Sequence, residues 1–193
     1  MVLIFGNAGV LAPGANANLA STVIDGDLVN TATAVQWFDV DMTRELSDSL
    51  LVTGDYTADG AVSLVFLSPF TARHQVYQLV SVQGETIDAG LELSPFGGPV
   101  AMTGHLTQRD GGTWLELQPD FALGGDVLPA GDSALGEHLN AIVQAGAEPG
   151  MQALLDTLLQ APDTQALRLA LDQLQPATHS ALAAVSLQSP QRL

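Results

Sequence analysis

The sequence predicts a mainly β chain that ends in an α-helical segment. Apolar residues recur with a period of two up to about Phe121, and leucine-rich helical stripes begin beyond Gly131. Between the β segments lies Gly- and Asp-rich punctuation ("DGD", "TGD", "ADG", "RDGG"), which keeps each strand short. Short strands at steady intervals mean a sandwich, a barrel or a β-helix. Similar phrases recur in "TVIDGDLV", "LLVTGDYT" and "AMTGHLTQ". Imperfect recurrence favours a β-helix, whose coils bury the same inner positions, over a sandwich with two distinct inner faces.

Taken in order, Phe38, Val40 and Met42 alternate with Asp39 and Asp41, so the aspartates are expected to face solvent. Leu50 and Val52 lead to Gly54. Beyond a tight turn at Asp59-Gly60, Val62, Leu64 and Phe66 point one way, Ser63 and Val65 the other. Tyr77 and Leu79 follow, then Leu115 and Leu117 beside Trp114. Residues 124–133, "GGDVLPAGDS", form the natural linker.

Three helical stripes come next: Leu135, Leu139, Ile142 and Val143; then Met151, Leu154, Leu155, Leu158 and Leu159; then Leu167, Leu171 and Leu174. Asp132 or Ser133 is the expected cap of the first helix, Pro149 opens the second, and Asp163 caps the third. A fourth, shorter helix is expected over Ala181 to Leu187. The expected organisation is therefore a β part over 1–122, a linker over 123–132 and helices over 133–193.

With 193 residues and 47% hydrophobic content, the chain suffices for one domain or two small ones, with a buried core. Acidic residues number 21 against 5 basic, a formal net charge of −16. Every basic residue is an arginine (Arg44, Arg73, Arg109, Arg168, Arg192), and lysine is absent. Such a surface repels phosphate, so neither nucleic acid nor an anionic membrane face is an expected partner. The absence of cysteine removes disulfides, thiolate metal sites and a cysteine nucleophile together. The opening "MVLIFGNAGVLAPG" lacks the basic region of a signal peptide, and no apolar run approaches the roughly 18 residues of a membrane helix. The chain reads as soluble, and its abrupt start suggests a piece of something longer.

The run "ELSDSLLVTGDYTADGAVSLVFL" resembles the end of the passenger region of type Va autotransporters. In that family the recurring phrase is Asp-x-Leu-x-Val-x-Gly, a short strand, a Gly turn and another strand. Asp48, Leu50, Val52, Gly54 and Gly60 occupy those places. "GVLAPGANAN" is similar to the family's Gly-x-Leu-x-Pro-Gly coil. Tyr77, Leu79 and Gly84 in "HQVYQLVSVQGETIDAG" match its Tyr-x-Leu segment, and "GGTWLELQPDF" resembles the closing strand. The helical part, with Asn140 and the Leu171, Leu174 and Pro176 set, is similar to the linker before the outer-membrane barrel.

This resemblance implies a right-handed parallel β-helix of few coils followed by the helical segment. It also implies that the last coils nucleate folding, as an autochaperone, of the passenger upstream. The implied partners are the upstream coils and the family's own outer-membrane β-barrel, whose strands are not in this chain. The implied location is the surface, or the surroundings, of a Gram-negative bacterium.

Catalytic residues, cofactor-binding residues and metal ligands are each expected to be none. Asp25/Asp27 and Asp39/Asp41 pair carboxylates two residues apart, about 6.5 to 7 Å along a strand. That spacing suits an inverting glycosidase or Ca²⁺, with Arg44 and Arg73 as partners. Alternation and turn chemistry explain the same aspartates without a reaction. "AGDSAL" is a degenerate Gly-Asp-Ser-Leu hydrolase phrase, but Ala134 interrupts it and His179 has Pro176 where that triad needs Asp. His74, His105, His138 and His179 lack metal-ligand spacing. Trp37 and Trp114 are expected to pack in the core or at coil ends. Two other functions remain open: an adhesin binding a host surface ligand, and a carbohydrate-active enzyme.

Overall fold

The computed structural model describes residues 3–14, 17–109 and 111–175. These divide into two units: residues up to Gly98 with Thr103–Gln118, and Pro99–Met102 with the residues from Pro119 onward.

The strands, in chain order, begin with β1 (Ile4–Asn7), β2 (Val10–Leu11) and β3 (Ser21–Ile24). Then come β4 (Asp27–Asn30), β5 (Val35–Asp41), β6 (Leu46–Ser47) and β7 (Ser49–Val52). The next set is β8 (Tyr56–Ala58), β9 (Ala61–Phe66) and β10 (Gln75–Val82). Last come β11 (Thr86–Asp88), β12 (Glu92–Leu93), β13 (Met102–Gln108) and β14 (Gly112–Pro119).

These strands build three sheets. One runs β1-β4-β8-β11 and pairs in parallel throughout. A second runs β2-β5-β9-β12 in parallel, with β6 antiparallel on β5. The third runs β3-β7-β10-β14-β13, parallel from β3 to β10 and antiparallel where β14 meets β10. Leu28 and Tyr56 of the first sheet are buried, as are Phe38, Val40 and Val62 of the second and Leu50, Val52, Leu115 and Leu117 of the third. Full burial of each such aliphatic side chain contributes about 1.5 to 3 kcal/mol. The Asp59-Gly60 turn forms as its sequence demands: Gly60 has φ +80°, and its N–H donates to Asp59 Oδ1.

The expectation of a mainly β, right-handed parallel β-helix is corrected by these pairings and by the helices of the second unit. The architecture is mixed α/β, with three parallel or mixed sheets and three helices among the described residues. Period-two alternation reports which face of a strand is buried, but not the direction of its neighbour. Arg109 and Gly112 exchange backbone hydrogen bonds where β13 meets β14, local chemistry that a uniform parallel reading does not accommodate.

In the second unit, α1 spans Ala130–Ala145, α2 Pro149–Leu159 and α3 Thr164–Leu174, with α3 touching both others. Leu139 and Val143 of α1, Leu155, Leu158 and Leu159 of α2, and Leu167 and Leu171 of α3 are buried. Pro149 does open α2, and Asp163 caps α3 by accepting the Ala166 N–H at 2.8 Å. The expected cap of α1 is corrected. Pro129 sets the entry, and Asp132 and Ser133 lie inside the first turn, both buried. Asn140 of α1 reaches back to the chain leaving β14: its Oδ1 accepts the Phe121 N–H, and its Nδ2 donates to Asp120 Oδ1. No helix among the described residues is long and apolar enough to cross a membrane. The expected helix over Ala181 to Leu187, with Pro176, His179 and Arg192, lies outside the described residues.

Candidate functional site

The most developed site in the first unit grows from β5. Trp37 and Asp39 lie two residues apart and therefore share one face of that strand. Alternation predicts both to be solvent-facing or both packed, and neither outcome holds. Trp37 is 42% exposed while Asp39 is 8% exposed, because the segment from β2 to β3 folds over the aspartate and not over the indole. Two expectations are thereby corrected: Asp39 and Asp41 are buried, and Trp37 is not core packing.

Backbone hydrogen bonds explain the burial. Asp39 Oδ2 accepts the Asn18 N–H at 3.1 Å. Asp48, just before β7, is buried beside it: its Oδ1 accepts the Ala20 N–H at 2.7 Å and its Oδ2 accepts the Asp39 N–H at 3.0 Å. Two carboxylates thus hold the 17–20 segment against β5 and β7. Gly14 lets that segment approach, since a Cβ there would meet the Asn18 carbonyl and the Asp48 carboxylate. Burial, and then the nearby Asp48 charge, push the Asp39 carboxyl above the ordinary aspartate range, while the Asn18 and Ala17 N–H groups pull it down.

Above these carboxylates is an open hollow of about 190 Å³, walled by Trp37, Val65, Ala12 and Ala17. Val65 stands beside Asp39 in the β5–β9 register. Neither Arg44 nor Arg73 lines this hollow. Asp41 serves the turn after β5 by accepting the Arg44 N–H at 3.0 Å, and Arg73 pairs with exposed Glu45 at 3.5 Å. So the structure brings Asp39 together with Asp48, not with Asp41 and Arg44.

The remaining candidates are dispersed. Asp25 Oδ1 accepts the Thr53 hydroxyl and Asp27 Oδ1 accepts the Asp55 N–H, each fixing a neighbouring corner. His74 pairs with Glu116 at 2.7 Å, whereas His105 and His138 are exposed on separate elements. Trp114 is half-buried; its indole N–H donates to Arg109 O, and the Arg109 guanidinium lies 5.3 Å from its ring. The Ser133 hydroxyl donates to Gly125 O at 3.4 Å. No cluster of three or more His, Asp or Glu side chains among the described residues is placed to hold a metal.

Sequence reasoning missed Asp48 as the partner of Asp39. The available signal was its place at the head of "DSLLVTG", directly after the short return strand β6. Chemically, the site presents fixed negative charge beside an exposed indole. No protein-family model matches this chain, and no curated protein matches it significantly.

Proposed function

We propose that this chain is a non-catalytic fragment of an autotransporter passenger, nucleating the folding of polypeptide upstream of it during secretion across the outer membrane. The observation that carries this reading is a shared open edge. β1, β2 and β3 follow one another in sequence, and each stands at the end of its own sheet. Each of the three is bonded on its inner side: the Asp27 N–H of β4 donates to Leu3 O, the Val35 N–H of β5 to Gly9 O and the Ser49 N–H of β7 to Ala20 O. Among the described residues no strand pairs with the outer side of β1, β2 or β3, which leaves those sides for an arriving strand. Leu3, Ile4, Phe5, Val10 and Val23, on or next to those strands, are exposed apolar side chains for such a strand to cover. The engagement of Asp25, Asp27 and Asp41 in holding turns favours a scaffold over an enzyme.

The flanking coding sequence is the first check: β-forming sequence upstream and about twelve barrel strands downstream. In the full-length protein, Ile4→Pro removes one N–H donor from the open edge, because the carbonyls of Leu3 and Asn7 face inward to β4 and those of the alternate residues face outward. Passenger folding at the cell surface, read by protease resistance, should slow with that substitution while the fragment's own fold persists. A passenger that folds at the same rate with the edge blocked would refute the reading.

A further inference from the structure

We propose that the hollow beside Trp37 is a recognition pocket for a basic side chain, arginine or lysine, presented by a partner polypeptide. This goes beyond the folding role and does not depend on it.

Three independent features converge. The first is the exposed indole of Trp37, which walls the hollow instead of packing inward. A cation over an indole face is attracted by the ring's quadrupole, and tryptophan is the strongest of the aromatic partners. The second is the pair of carboxylates at the floor. Asp39 and Asp48 are held in place by the Asn18, Ala20 and Asp39 N–H groups, so their charges are fixed in position. Among the described residues no arginine or histidine lines the hollow, and the Arg73–Glu45 and His74–Glu116 ion pairs lie elsewhere. The third is scale and sign. A hollow of about 190 Å³ fits a side-chain head group and its stem but not a drug-sized ligand, which needs roughly 300 Å³ or more. The chain's formal charge of −16, without a single lysine, draws basic partners towards it.

Val65 and Ala12 complete the fit by offering apolar surface to the methylene stem of an arginine or lysine, whose charged head would approach the Asp39 carboxylate, with the charge of the more deeply buried Asp48 behind it. A neutral sugar would also stack on an indole, but nothing in a sugar answers two fixed negative charges. Charge is therefore the property that separates the two ligand classes.

The test titrates N-acetyl-arginine methylamide into the ¹⁵N-labelled full chain at low salt, with the uncharged citrulline analogue as its isostere. Binding should move the Trp37 indole N–H and the Val65 amide saturably while leaving the Trp114 indole in place. Citrulline should bind at least about tenfold more weakly. Trp37→Ala, at an exposed position, should keep the amide spectrum folded and abolish the shift at Val65. Asp39→Asn should weaken binding in the same direction. Equal affinity for citrulline, undiminished binding by Trp37→Ala, or occupation by a neutral hexose but not by the arginine derivative would each overturn the assignment.

Discussion

The Asp27 carboxylate stands where a side chain on Gly54 would have to go. Asp27 Oδ1 accepts the Asp55 N–H at 2.9 Å, and a Cβ on Gly54 would overlap that oxygen. One strand layer further, Asp55 Oδ1 accepts the Glu85 N–H at 2.8 Å and crowds Gly84 in the same way. The Gly-acid corner is thus a stacking rule: each aspartate caps the corner that follows, and only glycine leaves room for it. Gly54→Ala should cost about 2 kcal/mol or more, read as a shift in the urea midpoint with unchanged slope. Adding Asp27→Ala should not rescue it, because the Gly26 carbonyl would also lie 2.8 Å from the new Cβ. Full rescue by the double variant would mean that the carboxylate alone sets the glycine requirement.

Asn140 gives a second, chemically sharper test. Its amide accepts the Phe121 N–H at 2.8 Å and donates to Asp120 Oδ1 at 3.0 Å. Asp120 Oδ1 in turn accepts the Ala122 N–H at 3.0 Å, and Asp120 Oδ2 accepts the Gly124 N–H at 2.8 Å. Asn140→Ala leaves the Phe121 N–H without its acceptor beside a fully buried ring, at a cost of about 1 to 3 kcal/mol. Asn140→Asp keeps the acceptor but sets a carboxylate against Asp120. Its loss should be larger at pH 7 than at pH 4, in urea melts at the two pH values. An aspartate variant as stable as wild type at pH 7 would show that the donation to Asp120 contributes nothing.

The strands, the turns and the three helical faces were legible because each rests on local chemistry. Gly60 needs a positive φ, Pro149 suits a first helical turn, and Asp163 has an N–H to accept three residues on. What the sequence hid is set by neighbours distant along the chain. Leu79 and Val80 are both fully buried although adjacent, since the β10–β14 register shifts between Gln78 and Val80. Alternation placed Asp39 in solvent, but a segment some twenty residues upstream lies over it. The site was half visible: the Trp37–Asp39 spacing puts both on one strand face, whereas nothing local shows that Asp48 returns beside them.

That pairing of Asp39 with Asp48 has a consequence for stability against pH. Burial and the Asp48 charge raise the Asp39 carboxyl above its ordinary range, so the folded chain holds that proton more tightly than the unfolded chain does. The contribution to stability is present in full below about pH 4, the ordinary aspartate value. It is lost as pH rises through the raised value. Asp132, buried in the second unit near Asp172, is raised by the same two causes and adds loss in the same direction. Asp39→Asn removes the first contribution, because an amide keeps an acceptor for the Asn18 N–H and carries no charge against Asp48. Urea midpoints measured between pH 4 and 7 should therefore fall less steeply for Asp39→Asn than for the unchanged chain. Asp132→Asn should subtract a separate, additive share. If Asp39→Asn kept the full wild-type slope, the two carboxylates would not be coupled through the fold.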